Sequence, residues 1–288
     1  MYTDILTTIS KCSGKNFDDA SLELENCINS DAKFIETLRE IGTIPEAIPH
    51  DSTEEKLFSK ASDAVLARAF REIGLKSIVL KERGDSADVM AESKIHGYTL
   101  VADAKAFRMS RTAKNQKDFK IVALSSWRKD ADYAVLCSPY FQYPSKTSQI
   151  YSQAINNNVC LFSWEHFIFL IKYGIKENSK FSFADFWNFS EKYAHSVLCS
   201  DMKKCFIEKF NKYSLSLLNM EQDLFYKLLN EQIEIITERG YYEKRFWFNE
   251  IEKIKKYSRE EAIQELISSR KINEKITQID LYMRSLKQ

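Results

Sequence analysis

The chain has 288 residues, 44% apolar, 13% aromatic and 29% charged, a balance that excludes an intrinsically disordered chain and allows one large domain or two. Lys and Arg total 42 against 41 Asp and Glu, so overall charge does not mark a polyanion binder and any such function must be carried locally. No apolar run approaches the roughly 20 residues of a membrane span, and MYTDILTTISKCSGK lacks the basic-then-apolar order of a secretory signal, so a cytoplasmic protein with no membrane partner is expected.

Taken in chain order, Phe17, Leu22, Leu24, Ile28, Phe34, Ile35, Leu38 and Ile41 predict a helix over 17–41 that ends at Gly42. Pro45 and Pro49 mark an irregular connection. A second helix starts at Ser52, a good N-cap, and runs through Leu57, Phe58, Ala61, Val65, Ala69 and Phe70 to Gly74. Two strands follow at 87–92 and 98–107, separated by SKIHG and readable as a hairpin. The β-rich runs DYAVLCS (132–138) and NVCLFSW (158–164) flank a helical pattern in SKTSQIYSQAI. Alternation of this kind predicts an α/β fold, a mixed β-sheet flanked by helices. From about Asp201 the pattern is helical and rich in Glu and Lys, broken at Gly240 and restarted by a capping box at Ser258 and Glu261. The expected organisation is an α/β core over 1–200, with a helical region over 201–288 packed on it and contributing to dimerisation.

The six cysteines (12, 27, 137, 160, 199 and 205) form no C-x-x-C pair and have no His at zinc-ligand spacing. Reduced thiols are expected rather than a zinc site.

The informative stretch is LVADAKAFRMSRTAKNQKDFK, residues 100–120. On a strand, Asp103 and Lys105 share one face while Leu100, Ala102, Ala104 and Ala106 take the other. A carboxylate at such a strand end can hold Mg²⁺, and the lysine can orient a water. Asp88 on the neighbouring strand is the candidate second carboxylate. The plainer reading is an exposed ion pair contributing about 0–1 kcal/mol.

Beyond Lys105, basic residues recur at every third position as Arg108, Arg111, Lys114, Lys117 and Lys120, with Asp118 the single acid. A period of three is not one helical face, so a loop and short helix following a polyanion are expected. Asn115 suits adenine, Arg111 or Lys117 guanine, and Asp118 either cytosine N4 or the orientation of neighbouring lysines, while others of the set touch phosphates.

Asp88, fourteen intervening residues, then Asp103-x-Lys105 on a hairpin after a helix resembles the PD-(D/E)xK nucleases, with Ala87 where proline is usual. IGTIPEAI, STEEKLFSKASDAVLARAF, GYTLVADAKAFRMSRTAKNQKDFK, DYAVLCSPYFQYPSKTSQI and LFSWEH are similar, in order and spacing, to stretches of the HindIII-type type II restriction endonucleases. The resemblance runs from about Ile41 to His166 and more loosely beyond. It implies an endonuclease core in which Asp88, Asp103 and the Ala104 carbonyl hold Mg²⁺ (Mn²⁺ substituting) and Lys105 is the catalytic lysine. It further implies DNA contacts in the A-K-N-Q-K-D segment, a homodimer, a companion DNA methyltransferase, and cutting of double-stranded DNA at AAGCTT to leave 5′-phosphates. In related nucleases an acid from the preceding helix reaches the metal site. Glu55 is that candidate, although a capping role with Ser52 explains it equally. Tyr140, Phe141 and Tyr143 read as packing aromatics and His166 as a cap or core histidine. Two other readings share these residues, a structure-specific repair or resolvase nuclease and a non-catalytic DNA-binding protein on the same fold.

Overall fold

A computed structural model describes residues 2–81, 86–111, 116–144, 148–194 and 202–285. Helices α1 (Tyr2–Cys12) and α2 (Phe17–Ser30) lead into the short α3 (Phe34–Glu40), so the helix expected over 17–41 is interrupted. Asp31 is the cause. Its carboxylate accepts from the Lys33 amide at 2.8 Å and the Thr37 hydroxyl at 2.6 Å, local bonds that compete with the helical ladder.

A two-residue strand, β1 (Thr43–Ile44), precedes α4 (Thr53–Glu72). Ser52 caps α4 as expected, accepting from the Glu55 amide at 3.1 Å. The helix stops where Gly74 takes φ +97°. There the Gly74 amide bonds the Arg71 carbonyl and the Leu75 amide the Phe70 carbonyl, the paired closure that a left-handed residue permits. Strands β2 (Lys76–Val79), β3 (Val89–Glu92), β4 (Thr99–Ala104) and β5 (Phe107–Arg108) come next. The expected strand over 98–107 is thus two, and β2 was not foreseen. Then follow α5 (Gln116–Phe119), α6 (Ile121–Trp127), β6 (Tyr133–Ser138), α7 (Gln149–Asn156), β7 (Val159–Ser163) and α8 (Trp164–Lys172). The helical remainder is α9 (Ala184–Trp187), α10 (Phe189–Tyr193), α11 (Met202–Leu217), α12 (Gln222–Ile254), α13 (Arg259–Ser269) and α14 (Ile272–Ser285).

The main sheet has the order β2-β3-β4-β6-β7. β2, β3 and β4 are antiparallel neighbours, whereas β4, β6 and β7 are parallel. It is the mixed sheet flanked by helices that the alternating pattern predicts. β6 and β7 are buried along almost their whole length, as strands with both faces covered must be. Aromatic side chains fill the core, with Phe58, Phe70, Phe162, Trp164 and Trp187 fully enclosed.

Two compact units divide the chain, Met1–Arg239 and Gly240–Gln288. The first includes α11 and the start of α12, whose Phe206, Phe210, Phe225 and Leu228 join its core. Gly240 lies inside α12 and does not break it. One glycine costs a helix only about 1 kcal/mol relative to alanine, too little to stop one of 33 residues. The Ser258–Glu261 capping box is present. Cys12, Cys137 and Cys160 are buried free thiols and Cys27 a half-buried one. Cys205 is disulfide-bonded, which corrects the expectation of reduced thiols at that position. No described helix is long and apolar enough to cross a membrane.

Candidate active site

Pairing of β3 with β4 sets Val89 opposite Ala102, which brings Asp88 beside Asp103 at the end of the hairpin. The Asp88 backbone is held on both sides. Its amide donates to the Ala102 carbonyl at 3.1 Å, and its carbonyl accepts from the Leu80 amide at 2.8 Å. Its carboxylate accepts from the Ala104 amide at 3.3 Å. The Lys105 amide, in contrast, donates across to Cys137 of β6 at 2.8 Å. Successive residues of a strand turn their backbone groups to opposite sides, so the Ala104 carbonyl lies on the Asp88 side.

The Lys105 ammonium forms an ion pair with Asp103, and their side chains are only 13% and 6% exposed. The reading of an exposed strand pair therefore does not describe it. Asp103 Oδ2 is buried and accepts no aligned hydrogen bond, its contact with Lys105 being ionic. The Trp164 indole N–H donates to the Lys105 carbonyl at 3.0 Å, fixing the backbone behind the amine. Trp164 also stands against Gly42, where an added Cβ would lie 2.9 Å from its Cδ1 and 2.6 Å from Pro139.

Sequence reasoning missed Asp63. This residue of α4 is 4% exposed, and its only outward signal is an acid inside the apolar run of SKASDAVLARAF. Burial raises its carboxyl to about 6, with Asp103 adding to the rise while Lys60, ion-paired at 2.9 Å, opposes it. Asp88 is pushed up to about 9, first by burial, then by a hydrogen bond with Asp103 and the charges of Asp63 and Asp103. Three acids thus crowd a site short of positive charge. Among the described residues, no three His, Cys, Asp or Glu side chains form a closed metal cage. Two carboxylates and a backbone carbonyl, with water for the rest, suit a hard cation such as Mg²⁺, which takes oxygen ligands and keeps much of its hydration.

Glu55 and Arg108 are placed elsewhere than expected. Glu55 Oε1 accepts from the Arg108 guanidinium at 2.6 Å and Oε2 from the Asp51 amide at 2.8 Å. Burial raises its carboxyl, but the bonds from Arg108 and Asp51 outweigh that and hold it below its ordinary value. Arg108 is buried and also donates to the Pro45 carbonyl at 2.6 Å. In the structure the two side chains pair with each other, Arg108 buried and Glu55 half-buried. Asp63, two turns further along α4, is the acid of that helix whose charge acts on Asp88.

Among the described residues of the basic stretch, Met109 and Ser110 lie in a turn and Gln116–Phe119 form the one-turn α5. Arg111 pairs with Asp118, Lys120 lies 5.9 Å over the Trp127 ring, and Arg111, Lys117 and Lys120 are exposed. Lys114 and Asn115 lie outside the described residues. Phe119 anchors the segment, packing on Phe107 at 5.4 Å and Tyr143 at 5.8 Å. The Tyr143 hydroxyl bonds the Phe162 carbonyl at 2.6 Å, and Tyr140 bonds Asn211 at 2.9 Å, so both pack as expected, while Phe141 is exposed. His166 is buried between Ser163 at 2.7 Å and Asn211 at 2.9 Å.

The chain is 45% identical over 285 residues to the Type II restriction enzyme HindIII of Haemophilus influenzae, covering 98% of this chain and 95% of that protein. The solved structure of restriction endonuclease FokI overlaps 56% of this chain and 31% of its own, at 12% identity and a TM-score of 0.35. The chain spans about a third of that protein, and a likeness this weak carries no weight. The model of the HindIII restriction endonuclease family matches residues 4–283. The likeness read from 41–166 thus extends almost end to end, through the strands that carry Asp88, Asp103 and Lys105 and the helices after them, and the chain belongs to the HindIII restriction endonuclease family.

Proposed function

We propose that this protein is a type II restriction endonuclease that hydrolyses double-stranded DNA at a short palindrome, with Mg²⁺ as its working cation and Mn²⁺ able to replace it. The observation that carries the reading is Asp88, Asp103 and Lys105 side by side at the ends of paired strands, in a chain 45% identical over 285 residues to a type II restriction enzyme. Asp88, Asp103 and the Ala104 carbonyl would hold the cation, which when bound supplies charge neutralisation at the reacting phosphate. The Lys105 ammonium, fixed from behind by Trp164, orients the attacking water in line with the departing 3′-oxygen, leaving a 5′-phosphate. Asp63 adds negative charge behind the pair. Arg111, Lys114, Asn115, Lys117, Asp118 and Lys120 supply the DNA-contacting segment, in which Asp118 holds Arg111.

The substrate class and its symmetry imply the partners. A palindrome read by identical half-sites calls for a homodimer, and cutting inside a cell calls for a methyltransferase that protects the same site. By family, that site is AAGCTT, cut after the first adenine. The test is incubation of purified protein with plasmid and Mg²⁺, followed by sequencing of fragment ends. Ends at one palindrome are expected. Cutting only at branched or damaged substrates would make it a repair or resolvase enzyme, and binding without cutting a DNA-binding protein on the same fold.

A further inference from the structure

The basic segment leaves the strand that carries Asp103 and Lys105, and one buried side chain at its start ties it to α4 and to the connection after β1. Arg108 follows Lys105 by three residues and precedes Ser110 by two. Its guanidinium donates to Pro45 and Glu55, each at 2.6 Å. Pro45 directly follows β1, the strand that pairs in parallel with β5. Glu55 lies in the first turn of α4, the helix that carries Asp63. A second carboxylate completes the joint. Glu46, also buried, accepts from the Ser110 amide at 2.9 Å and the Ser110 hydroxyl at 2.8 Å. The strand exit from the active site is thereby fastened at two successive points, both through charge-assisted bonds, which are roughly twice as strong as neutral ones. A phosphate contact by Arg108 would break both of its bonds and leave Glu55 facing a like charge.

We propose that the Glu55–Arg108 and Glu46–Ser110 pairs form a positioning clamp that sets the distance and angle between the DNA-contacting segment and the Asp88–Asp103–Lys105 site. The clamp rests on the nuclease reading above. It converts contacts made by residues beyond Ser110 into placement of one phosphodiester bond at the carboxylates. A slack joint would leave those contacts available and lose the placement, and a misplacement of about 1 Å is enough to slow chemistry about 100-fold.

The experiment compares wild type, Arg108→Met, Arg108→Lys and Ser110→Ala on one cognate duplex. It measures affinity in Ca²⁺, single-turnover cleavage in Mg²⁺, and amide hydrogen exchange at Phe107 and Ser110. Arg108→Met is expected to bind within about threefold of wild type, because affinity comes from the phosphate contacts further along. It should cleave about 100-fold more slowly and exchange those amides faster. Arg108→Lys keeps the charge and one of the two bonds, and should recover part of the rate. Ser110→Ala, which removes a single hydroxyl and tests the joint even if Arg108→Met fails to fold, should lose rate in the same direction by a smaller factor.

Affinity lost on every sequence alike, with the salt slope reduced by about one, would make Arg108 a phosphate contact and overturn the clamp. So would unchanged cleavage in both Arg108→Met and Ser110→Ala. If wild type cuts no duplex, the nuclease reading fails instead. The exchange rates then decide the clamp alone, faster in Arg108→Met supporting it and unchanged refuting it.

Discussion

Asp88, Asp103 and Asp63 crowd their charges together, and replacing one acid should separate holding DNA from cutting it. Asp103→Asn keeps the shape and removes the charge that would hold the cation, so cleavage should fall by about 100-fold or more while affinity without metal, in EDTA, stays level or improves. Lys105→Ala should also abolish cleavage but gain no affinity, since it deletes a cation. Gel shift and Mg²⁺ cleavage on one duplex measure both, and an Asp103→Asn protein cutting within about tenfold of wild type would remove the residue from the chemistry. His166 allows a separate test of the core. Burial lowers its imidazole from 6.5 to about 4, with the Asn211 bond opposing. Because the fold favours the neutral ring, its contribution is complete above pH 6.5 and is lost as pH falls toward about 4. Urea unfolding should therefore show wild type losing more stability across that window than His166→Gln, and parallel profiles would refute this.

Among the elements, α5 is a single turn held by its one buried residue, Phe119, and by the Arg111–Asp118 pair. Short, exposed and basic, the segment suits recognition better than support. Asn115→Ala and Lys117→Ala should weaken discrimination between cognate and one-base-changed duplexes by about 1–3 kcal/mol per lost bidentate contact. Lys114→Ala and Lys120→Ala should lower affinity for all sequences alike and flatten the salt dependence. Competition binding over a salt series distinguishes the two classes, and four identical profiles would reduce the segment to electrostatics. The clamp at Arg108 belongs to the same scale, since it joins β5, the connection after β1 and the start of α4.

At the scale of the molecule, the unit Gly240–Gln288 leaves the large apolar side chains Tyr241, Trp247, Phe248, Ile251 and Ile254 exposed, and contiguous exposed apolar surface marks an interaction site. A second copy is the proposed cover. Sedimentation at micromolar concentration should give a dimer, and Trp247→Glu with Phe248→Glu should shift it to monomer; a wild-type monomer with and without DNA would refute the proposal. The sequence by itself determined the alternating α/β order, the Ser52 and Ser258 caps, the hairpin with its acid–lysine pair, and the family resemblance. Each of these depends on neighbours a few residues apart or on long runs of matching text. Only the tertiary structure decided that the strand pair is buried, that α12 runs through Gly240, that Arg108 and Glu55 bind each other, and that Asp63 joins the site. The reason is physical: Asp63 lies 25 residues before Asp88, and Arg108 bonds Glu55 across a separation of 53 residues. No local period or spacing records which distant side chain will share a buried charge, because folding over the sheet is what brings the two together.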